Sequence, residues 1–259
     1  MEIHSLKGKR AVVCGASQGI GRAAAIELAN RGADVTVLAR DLEALEKLCS
    51  LLPAGAHHAL PADFADNEAV RTAAVHLATA SPVHILVNNT GGPPGGPIIE
   101  AAPEAFLAAF RAHLVNNQIL AQALLPRMRE AGYGRIINIV STSVREPIAG
   151  LGVSNTVRAA VAGWAKTLAS EVARFGITVN NVLPGYTKTQ RLESIIAARA
   201  KAAGKDASEI TRDMTAQVPA GRFADAWEVA AAIGFLASPA AAYVTGVSLP
   251  VDGGRIAAI

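Results

Sequence analysis

Three closely spaced glycines near the N-terminus are the residues of this chain that most directly indicate a chemistry. Gly15, Gly19 and Gly21 lie between a short apolar run at 10–14 and a segment of helical composition at 21–30. Glycines in such a turn let the backbone approach a phosphate, and the free N–H groups at a helix N-terminus favour an anion. The spacing is GxxxGxG rather than GxGxxG, and its place between strand and helix predicts a dinucleotide pyrophosphate site.

The elements that must position this turn alternate along the chain. Apolar runs at 10–14, 34–39, 57–62, 83–87, 135–140, 177–183 and 247–251 alternate with helical patterns at 21–30, 41–51, 66–80, 103–128, 154–174 and 226–237. This alternation predicts an α/β fold with a doubly wound parallel sheet, the Rossmann fold. Because no Ser/Gly/Pro-rich linker divides the chain, we expect residues 1–259 to form a single domain. The charged, Ala-rich segment at about 190–217 is interpreted as a helical substrate lid.

Composition excludes several classes of protein. The 259 residues are 51% hydrophobic and carry 24 Lys+Arg against 21 Asp+Glu without a basic stripe, which disfavours a nucleic-acid partner. No run of 18 apolar residues occurs, so we expect no membrane span. Two cysteines exclude a disulfide scaffold, and no apolar signal segment is visible, so we expect a cytoplasmic location. His57 and His58 are adjacent on a predicted strand and would point to opposite faces, so no metal site is assigned.

Motifs along nearly the whole chain carry a family resemblance. They are CGASQGIG at 14–21, NNTG at 88–91, GRIINIVS at 134–141, GITVNNVLPG at 176–185 and VDGG at 251–254. In order and spacing, from about residue 6 to 255, they resemble the short-chain dehydrogenase/reductase family, and within it the 3-oxoacyl-carrier-protein-reductase-like group. The resemblance implies hydride transfer between a bound NAD(P) and a small carbonyl or alcohol substrate. It also implies a homodimer or homotetramer.

The resemblance further implies which residues hold the nucleotide. The glycine turn would wrap the pyrophosphate and the adenosine ribose, and two residues after the third strand would meet the adenine. Residues of NNTG would flank the adenosine half, and those after the sixth strand would support the nicotinamide half. In chain order these residues are Gly15, Ser17, Gln18, Gly19, Ile20, Gly21, Asp63, Phe64, Asn88, Thr90, Gly91, Pro184, Gly185, Thr187 and Thr189.

The end of the second strand distinguishes NADP from NAD. An acidic residue there would bond the ribose 2′-hydroxyl and repel a 2′-phosphate. Ala39 stands in that place, and the adjacent Arg40 can make charge-assisted bonds to a phosphate, which favours NADP over NAD. Two alternatives stay open: Arg40 is a solvated surface charge, or Asp41 turns inward and weakens the preference.

The catalytic pattern of the family is only partly present. The family places a Ser at the end of a strand, a Tyr thirteen residues later and a Lys four residues after that, with an Asn from the preceding helix. Here Ser141 ends the strand, but Ser154 and Arg158 stand at the next two positions and His113 at the Asn position. The family spacing from Arg158 to Gly176 is also kept, so no gap restores a Tyr-x-x-x-Lys.

These replacements change the chemistry that is available. A Ser hydroxyl is far less acidic than a phenol, whose reference pKa is about 10, so Ser154 is a poor direct proton donor. Arg158 keeps the positive charge and can hold the nicotinamide ribose, a substrate carboxylate or an oxyanion; it also joins the cofactor-binding set. His113 is either a proton donor or a hydrogen-bonded helix residue. Tyr186, directly after Pro184-Gly185, is the remaining phenol predicted near the nicotinamide.

Three functions follow from these residues. The first is an NADP-dependent oxidoreductase acting on a carbonyl or alcohol, with an altered proton donor. The second is an NADP-binding protein without redox chemistry, acting as a sensor or interaction partner. The third is another reaction on the same scaffold, such as lyase chemistry with His113 or Arg158. The intact nucleotide motifs favour the first, although a fold does not dictate a function.

Overall fold

Seven parallel strands form the sheet around which the chain folds. The computed structural model describes residues 3–258. The strands follow one another across the sheet in the order β3-β2-β1-β4-β5-β6-β7, and every neighbouring pair is parallel. The strand order reverses between β1 and β4, which is where a doubly wound sheet opens a crevice for a ligand. The strands are β1 Arg10–Cys14, β2 Asp34–Ala39, β3 His58–Pro61, β4 Ile85–Asn88, β5 Gly134–Ile139, β6 Ile177–Pro184 and β7 Ser248–Val251.

Helices cover both faces of this sheet. The main helices are α1 Gly19–Asn30, α2 Leu42–Leu51, α3 Asn67–Ala80, α4 Pro103–Phe110, α5 Asn116–Glu130, α6 Gly152–Val172, α7 Gln190–Ala203, α8 Ala207–Ala216 and α9 Ala226–Ala237. Apolar side chains of α1, α2 and α9 form one core with the strands, and those of α3, α5 and α6 form the core on the opposite face. The predicted α/β fold class, a doubly wound parallel sheet, is therefore confirmed.

The predicted single helix at 103–128 is interrupted by a wider turn. Between α4 and α5 the segment Arg111–Val115 is a π-helix, and α5 runs on to Glu130. At the end of this turn the backbone N–H of Asn116 bonds to the carbonyl of Arg111, five residues back. The side-chain amide of Asn116 donates to the Ala112 carbonyl at 3.2 Å, so this side chain takes the place of a regular backbone bond.

Two further segments bear on the sequence expectations. The sequence pattern predicts a strand that includes His57, but β3 begins at His58, and the His57 ring accepts the Val35 N–H at 3.1 Å. The excursion at about 190–217 does contain two helices, α7 and α8, which pack together through a small apolar cluster that includes Leu192, Ile210 and Met214. Over the described range of 3–258, no helix is long and apolar enough to cross a membrane.

Candidate nucleotide and substrate site

A cavity of about 950 Å³ opens at the carboxyl ends of the strands. It is continuous from the glycine turn between β1 and α1 to the segment that follows β6. Most residues singled out from the sequence line it together, although the chain brings them from seven separate segments. They are Gly15, Ser17, Gln18, Gly19, Ile20, Arg40, Asp63, Phe64, Thr90, Gly91, Ser141, Ser154, Arg158, Pro184, Gly185, Tyr186, Thr187 and Thr189.

The glycine turn is held in a shape that exposes backbone donors. Gly15 and Gly19 adopt φ of +59° and +57°, the left-handed region that costs a glycine little. Gln18 precedes α1 with an extended backbone and makes no side-chain cap, so the first N–H groups of the helix stay open to an anion. The Asn89 amide donates to the carbonyls of Cys14 and Gly15 at 3.2 and 3.1 Å. Sequence reasoning missed Asn89, although it lies inside the NNTG motif.

Two residues predicted to bind the nucleotide do not line the cavity. Gly21 does not line the cavity: it packs against the Gly15 carbonyl, where a Cβ atom would overlap that carbonyl and the Asn89 amide. Asn88 is buried, and its amide donates to the Asn138 Oδ1 at 2.9 Å. Asn138 continues this row to Asn181 at 2.9 Å, so Asn88 ties strands together instead of facing the cavity.

The adenosine end of the cavity carries the residues predicted to choose the nucleotide. Ala39 is buried at the end of β2, and Arg40 is exposed and lines the cavity without an ion pair within residues 3–258. Asp41 accepts the Ala44 N–H at 3.0 Å as the N-cap of α2. That bond keeps the Asp41 carboxylate turned towards the helix backbone. Asp63 accepts the Ala65 N–H at 2.9 Å beside the cavity.

The nicotinamide end begins where β6 leaves the sheet. The Thr187 hydroxyl donates to the Gly185 carbonyl at 3.2 Å, and Thr189 caps α7 by accepting the Leu192 N–H at 3.3 Å. A Cβ atom on Gly185 would lie 2.7 Å from the backbone of Asp252, which explains why glycine follows Pro184. The chain therefore passes close to the C-terminal segment here.

Ser141 and Ser154 line the same cavity as Arg158, and Ser154 lies about one helical turn before Arg158 on α6. The Ser141 Oγ accepts the Ser143 N–H at 3.1 Å, which fixes the side chain and leaves its hydroxyl hydrogen to donate elsewhere. Ser154 is half-buried in the first turns of α6. The arrangement offers hydroxyl donors beside a cation, which suits the stabilisation of a developing alkoxide.

Arg158 is a buried cation. Its Nη1 donates to the Ile139 carbonyl at 2.8 Å and its Nη2 to the Thr90 carbonyl at 3.5 Å. Burial, and secondarily the charge of Arg191, lower the pKa of Arg158 to about 10. The guanidinium therefore keeps its positive charge at neutral pH.

His113 lies outside the cavity and is almost fully buried on the π-helical turn. Burial, with the nearby charge of Arg158 as a second cause, lowers the pKa of His113 to about 2. The imidazole is therefore neutral at physiological pH. This position and charge state favour the interpretation of His113 as a helix residue over that of a proton donor. Asn116, at the end of the same turn, donates its side-chain amide to the Phe64 carbonyl at 2.8 Å and is structural.

Tyr186 lines the cavity beside the C-terminal segment. Its hydroxyl donates to the Gln217 Oε1 at 3.2 Å, and its ring meets Phe223 edge to face at 5.7 Å between centroids. The Arg255 guanidinium lies 4.5 Å from the centre of the Tyr186 ring. Arg255 and Arg191 also line the cavity, and sequence reasoning missed both because neither falls in a motif.

Known proteins are similar to this chain over nearly its whole length. The family model described as enoyl-(acyl carrier protein) reductase matches residues 15–255. The 3-oxoacyl-[acyl-carrier-protein] reductase of Pseudomonas aeruginosa is 35% identical over 254 residues, which is 96% of this chain and 98% of that protein.

Two solved structures illustrate the structural likeness. A putative NAD(P)-dependent gluconate 5-dehydrogenase from Beutenbergia cavernae with bound NADP has a TM-score of 0.90 at 33% identity, covering 99% of this chain and 100% of that one. The L-sorbose reductase of Gluconobacter frateurii, complexed with NADPH and L-sorbose, has a TM-score of 0.90 at 30% identity, covering 99% and 100%. The nucleotide in both structures agrees with the NADP preference predicted from Ala39 and Arg40. The chain therefore belongs to the short-chain dehydrogenase/reductase family.

Proposed function

We propose that this protein is an NADP-dependent oxidoreductase that transfers hydride between the nicotinamide and a carbonyl or alcohol substrate. The observation that carries the proposal is one continuous cavity that joins the glycine turn to Ser141, Ser154 and Arg158. A dinucleotide that lies along it would have its phosphates at the turn and its reactive ring beside these side chains. The family and the nucleotides of the solved relatives support the same reaction class.

The residues at the adenosine end fit NADP. The buried Ala39 leaves room where an acid would repel a 2′-phosphate, and Arg40 has no carboxylate partner among residues 3–258. Its guanidinium is therefore free to pair with that phosphate. The open N–H groups at the start of α1 suit the pyrophosphate.

The substrate end stabilises charge on the carbonyl oxygen. When bound, NADPH supplies the hydride that adds to a carbonyl carbon. The Ser141 hydroxyl donates to the carbonyl oxygen, and the buried cation of Arg158 stabilises the alkoxide as it forms. Tyr186 gives the proton, because it is the one cavity-lining phenol in the described part of the chain. The Tyr186 phenolate then regains its proton from solvent.

A specific observation favours a second candidate, an NADP-binding protein without turnover. Ser154 and Arg158 replace the Tyr and Lys that the family resemblance implies, and His113 is buried and neutral behind them. In that case NADP would bind, but no group next to the substrate carbonyl would donate a proton, and no turnover would follow.

The test begins with NADPH affinity, measured by nucleotide fluorescence. NADPH oxidation is then followed with ethyl 3-oxobutanoate, 4-oxopentanoate and L-sorbose. The matched variant is Ser154→Tyr with Arg158→Lys, which restores the family pair. Turnover by the natural chain supports the oxidoreductase. Tight NADPH binding with turnover only in the double variant supports the second candidate, and absence of NADPH binding overturns both.

The role given to Tyr186 has its own test. Tyr186→Phe should reduce kcat for a ketone by roughly 10²- to 10⁴-fold, the range for a lost general acid, while the Kd of NADPH stays unchanged. Tyr243→Phe is the matched control, because Tyr243 is fully exposed and lies outside the cavity. Unchanged turnover in Tyr186→Phe would remove it as the proton donor.

We also propose that the protein is cytoplasmic and that α7 and α8 form a substrate lid. Free thiols at Cys14 and Cys49 agree with a reducing compartment.

We propose in addition that the protein assembles as a homodimer or homotetramer. Large apolar side chains exposed on the single chain support assembly, and light scattering of the purified protein tests it. The exposed apolar side chains include Ile98, Ile99, Leu107, Phe110, Trp227, Phe235, Tyr243 and Val247.

A further inference from the structure

The substrate end of the cavity is strongly cationic. The acids that line the cavity, within the described residues, are Asp41 and Asp63, and both lie at the adenosine end with their carboxylates bonded to backbone N–H groups. No carboxylate therefore faces the arginines at the opposite end. Those arginines are Arg158, Arg191, Arg199 and Arg255.

The excess of positive charge is energetically unfavourable at Arg158, which is buried. Its two hydrogen bonds go to neutral carbonyls, and no carboxylate of the described chain pairs with it. A buried charge without a counter-charge is disfavoured. The charge of Arg191 acts on Arg158 as an added repulsion, so the two cations lie close enough to interact. An anion in the cavity would supply the missing counter-charge of Arg158 and would reduce its repulsion with Arg191.

Arg255 is built to receive such an anion. Its Nη1 donates to the Thr142 hydroxyl at 3.3 Å, and its guanidinium lies against the Tyr186 ring. Its Nε is buried and has no acceptor in the described structure. A guanidinium presents a planar fork that matches a carboxylate in two parallel hydrogen bonds. Thr142 directly follows Ser141, so this fork is anchored one residue from the hydroxyl assigned to the reacting carbonyl.

Arg191 is the exposed arginine among those that line the substrate end of the cavity. Its Nη2 donates to the Pro93 carbonyl at 2.7 Å, which joins the start of α7 to the loop after β4. The side chain is exposed and makes no ion pair within residues 3–258. Its remaining N–H groups raise the local positive potential, which attracts an anionic substrate into the cavity.

We propose that the substrate of this site is an oxo acid or its hydroxy acid, with the carboxylate bound by the guanidinium of Arg255. This inference rests on the proposed function, because the carboxylate belongs to the molecule whose carbonyl is reduced. Arg158 remains with the carbonyl oxygen, and Arg191 attracts the acid at the mouth. An uncharged ketone of the same shape would leave the fork of Arg255 unpaired.

The experiment uses the complex with NADP⁺, in which an oxo acid binds without reacting. Calorimetry compares 2-oxobutanoate, 3-oxobutanoate and 4-oxopentanoate with their methyl esters, in which one added methyl group removes the charge of the carboxylate. We expect at least one acid to bind tenfold or more tightly than its ester. Because NADP⁺ is bound throughout, an arginine that the nucleotide already engages contributes equally to both measurements.

Variants assign the preference to one residue. Arg255→Gln should reduce the ratio of acid affinity to ester affinity tenfold or more, and Arg255→Lys should keep part of this preference. Arg71→Gln is the control, because Arg71 is an exposed arginine of α3 outside the cavity. Equal binding of acid and ester in all three pairs overturns the proposal, and so does an unchanged ratio in Arg255→Gln. Reduction of the esters without an acid preference would leave the oxidoreductase standing while this inference fails.

Discussion

The two ends of the cavity are built from different parts of the chain. At the nucleotide end the ligand-facing groups are mainly backbone: two glycines with positive φ, the open start of α1 and an asparagine that locks the turn. At the substrate end they are side chains, above all Ser141, Arg158 and Arg255. A backbone site is specified by the fold itself, whereas a side-chain site changes with single substitutions. A chain can therefore keep the glycine turn while Ser154 and Arg158 occupy the two positions where the family resemblance implies Tyr and Lys.

After the loss of the Tyr186 hydroxyl, the largest expected effect is at Arg158. Arg158→Met should lower kcat/KM for a ketone by roughly 10²- to 10³-fold, because a preorganised charge beside the alkoxide is lost. The Kd of NADPH should change far less, which single-turnover kinetics and fluorescence titration together will show. Arg158→Lys, which keeps a cation, is the matched variant. A methionine variant within threefold of the natural chain would contradict the role in charge stabilisation.

Next in size is the glycine turn. Gly21→Ala places a Cβ against the Gly15 carbonyl and the Asn89 amide, so the turn must shift. We expect a loss of roughly 1–3 kcal/mol in unfolding free energy, typical of overpacking, together with weaker NADPH binding. Gly163→Ala is the control, since a Cβ there meets nothing within 4 Å and α6 should gain about 1 kcal/mol. Chemical denaturation and NADPH titration measure both variants, and equal NADPH affinities would argue against a preset turn.

His113 should make the protein sensitive to acid. Its folded pKa of about 2 lies below the unfolded value, so only the unfolded chain takes up a proton as the pH falls. Stability from this group is complete above about pH 6.5 and decreases towards pH 2, by about 2 kcal/mol between pH 6.5 and 5.

Denaturant unfolding at pH 7 and pH 5 tests this slope. His113→Gln should show a smaller difference between the two pH values than the natural chain. His76→Gln, on an exposed position of α3, should keep the full difference. The same difference in all three proteins would mean that His113 does not control the acid response.

The smallest expected effect is at Arg40. Arg40→Ala should raise the Kd of NADPH by roughly tenfold, the weight of one exposed charge-assisted hydrogen bond. The Kd of NADH should stay within twofold, because NADH lacks the 2′-phosphate. Lys47→Ala is the control, since Lys47 is an exposed cation of α2 outside the cavity. If Arg40→Ala weakens both nucleotides alike, the nucleotide end is not selective for NADP.

Sequence periodicity was sufficient for the sheet and for one end of the cavity. Parallel strands that alternate with helices bring all strand ends to one edge, so motifs placed just after strands had to meet there. This is why Gly15, Thr90, Ser141 and Pro184 line one cavity. That they bind the nucleotide or take part in catalysis stays a prediction. The Asn88 side chain does not line this cavity, because Asn88 is the last residue of β4 and its side chain bonds along the sheet.

The sequence by itself determined the fold class, the nucleotide turn and the absence of a Tyr-x-x-x-Lys pair at 154 and 158. Only the tertiary structure decided the charge states and the partners of the side chains. The pKa of His113 follows from burial beside Arg158, and burial is a property of packing that no spacing reveals. Arg255 reaches Thr142 and Tyr186 because the chain after β7 returns to the cavity. Contacts between residues far apart in the sequence arise from the fold, and they bring charged side chains to the substrate end.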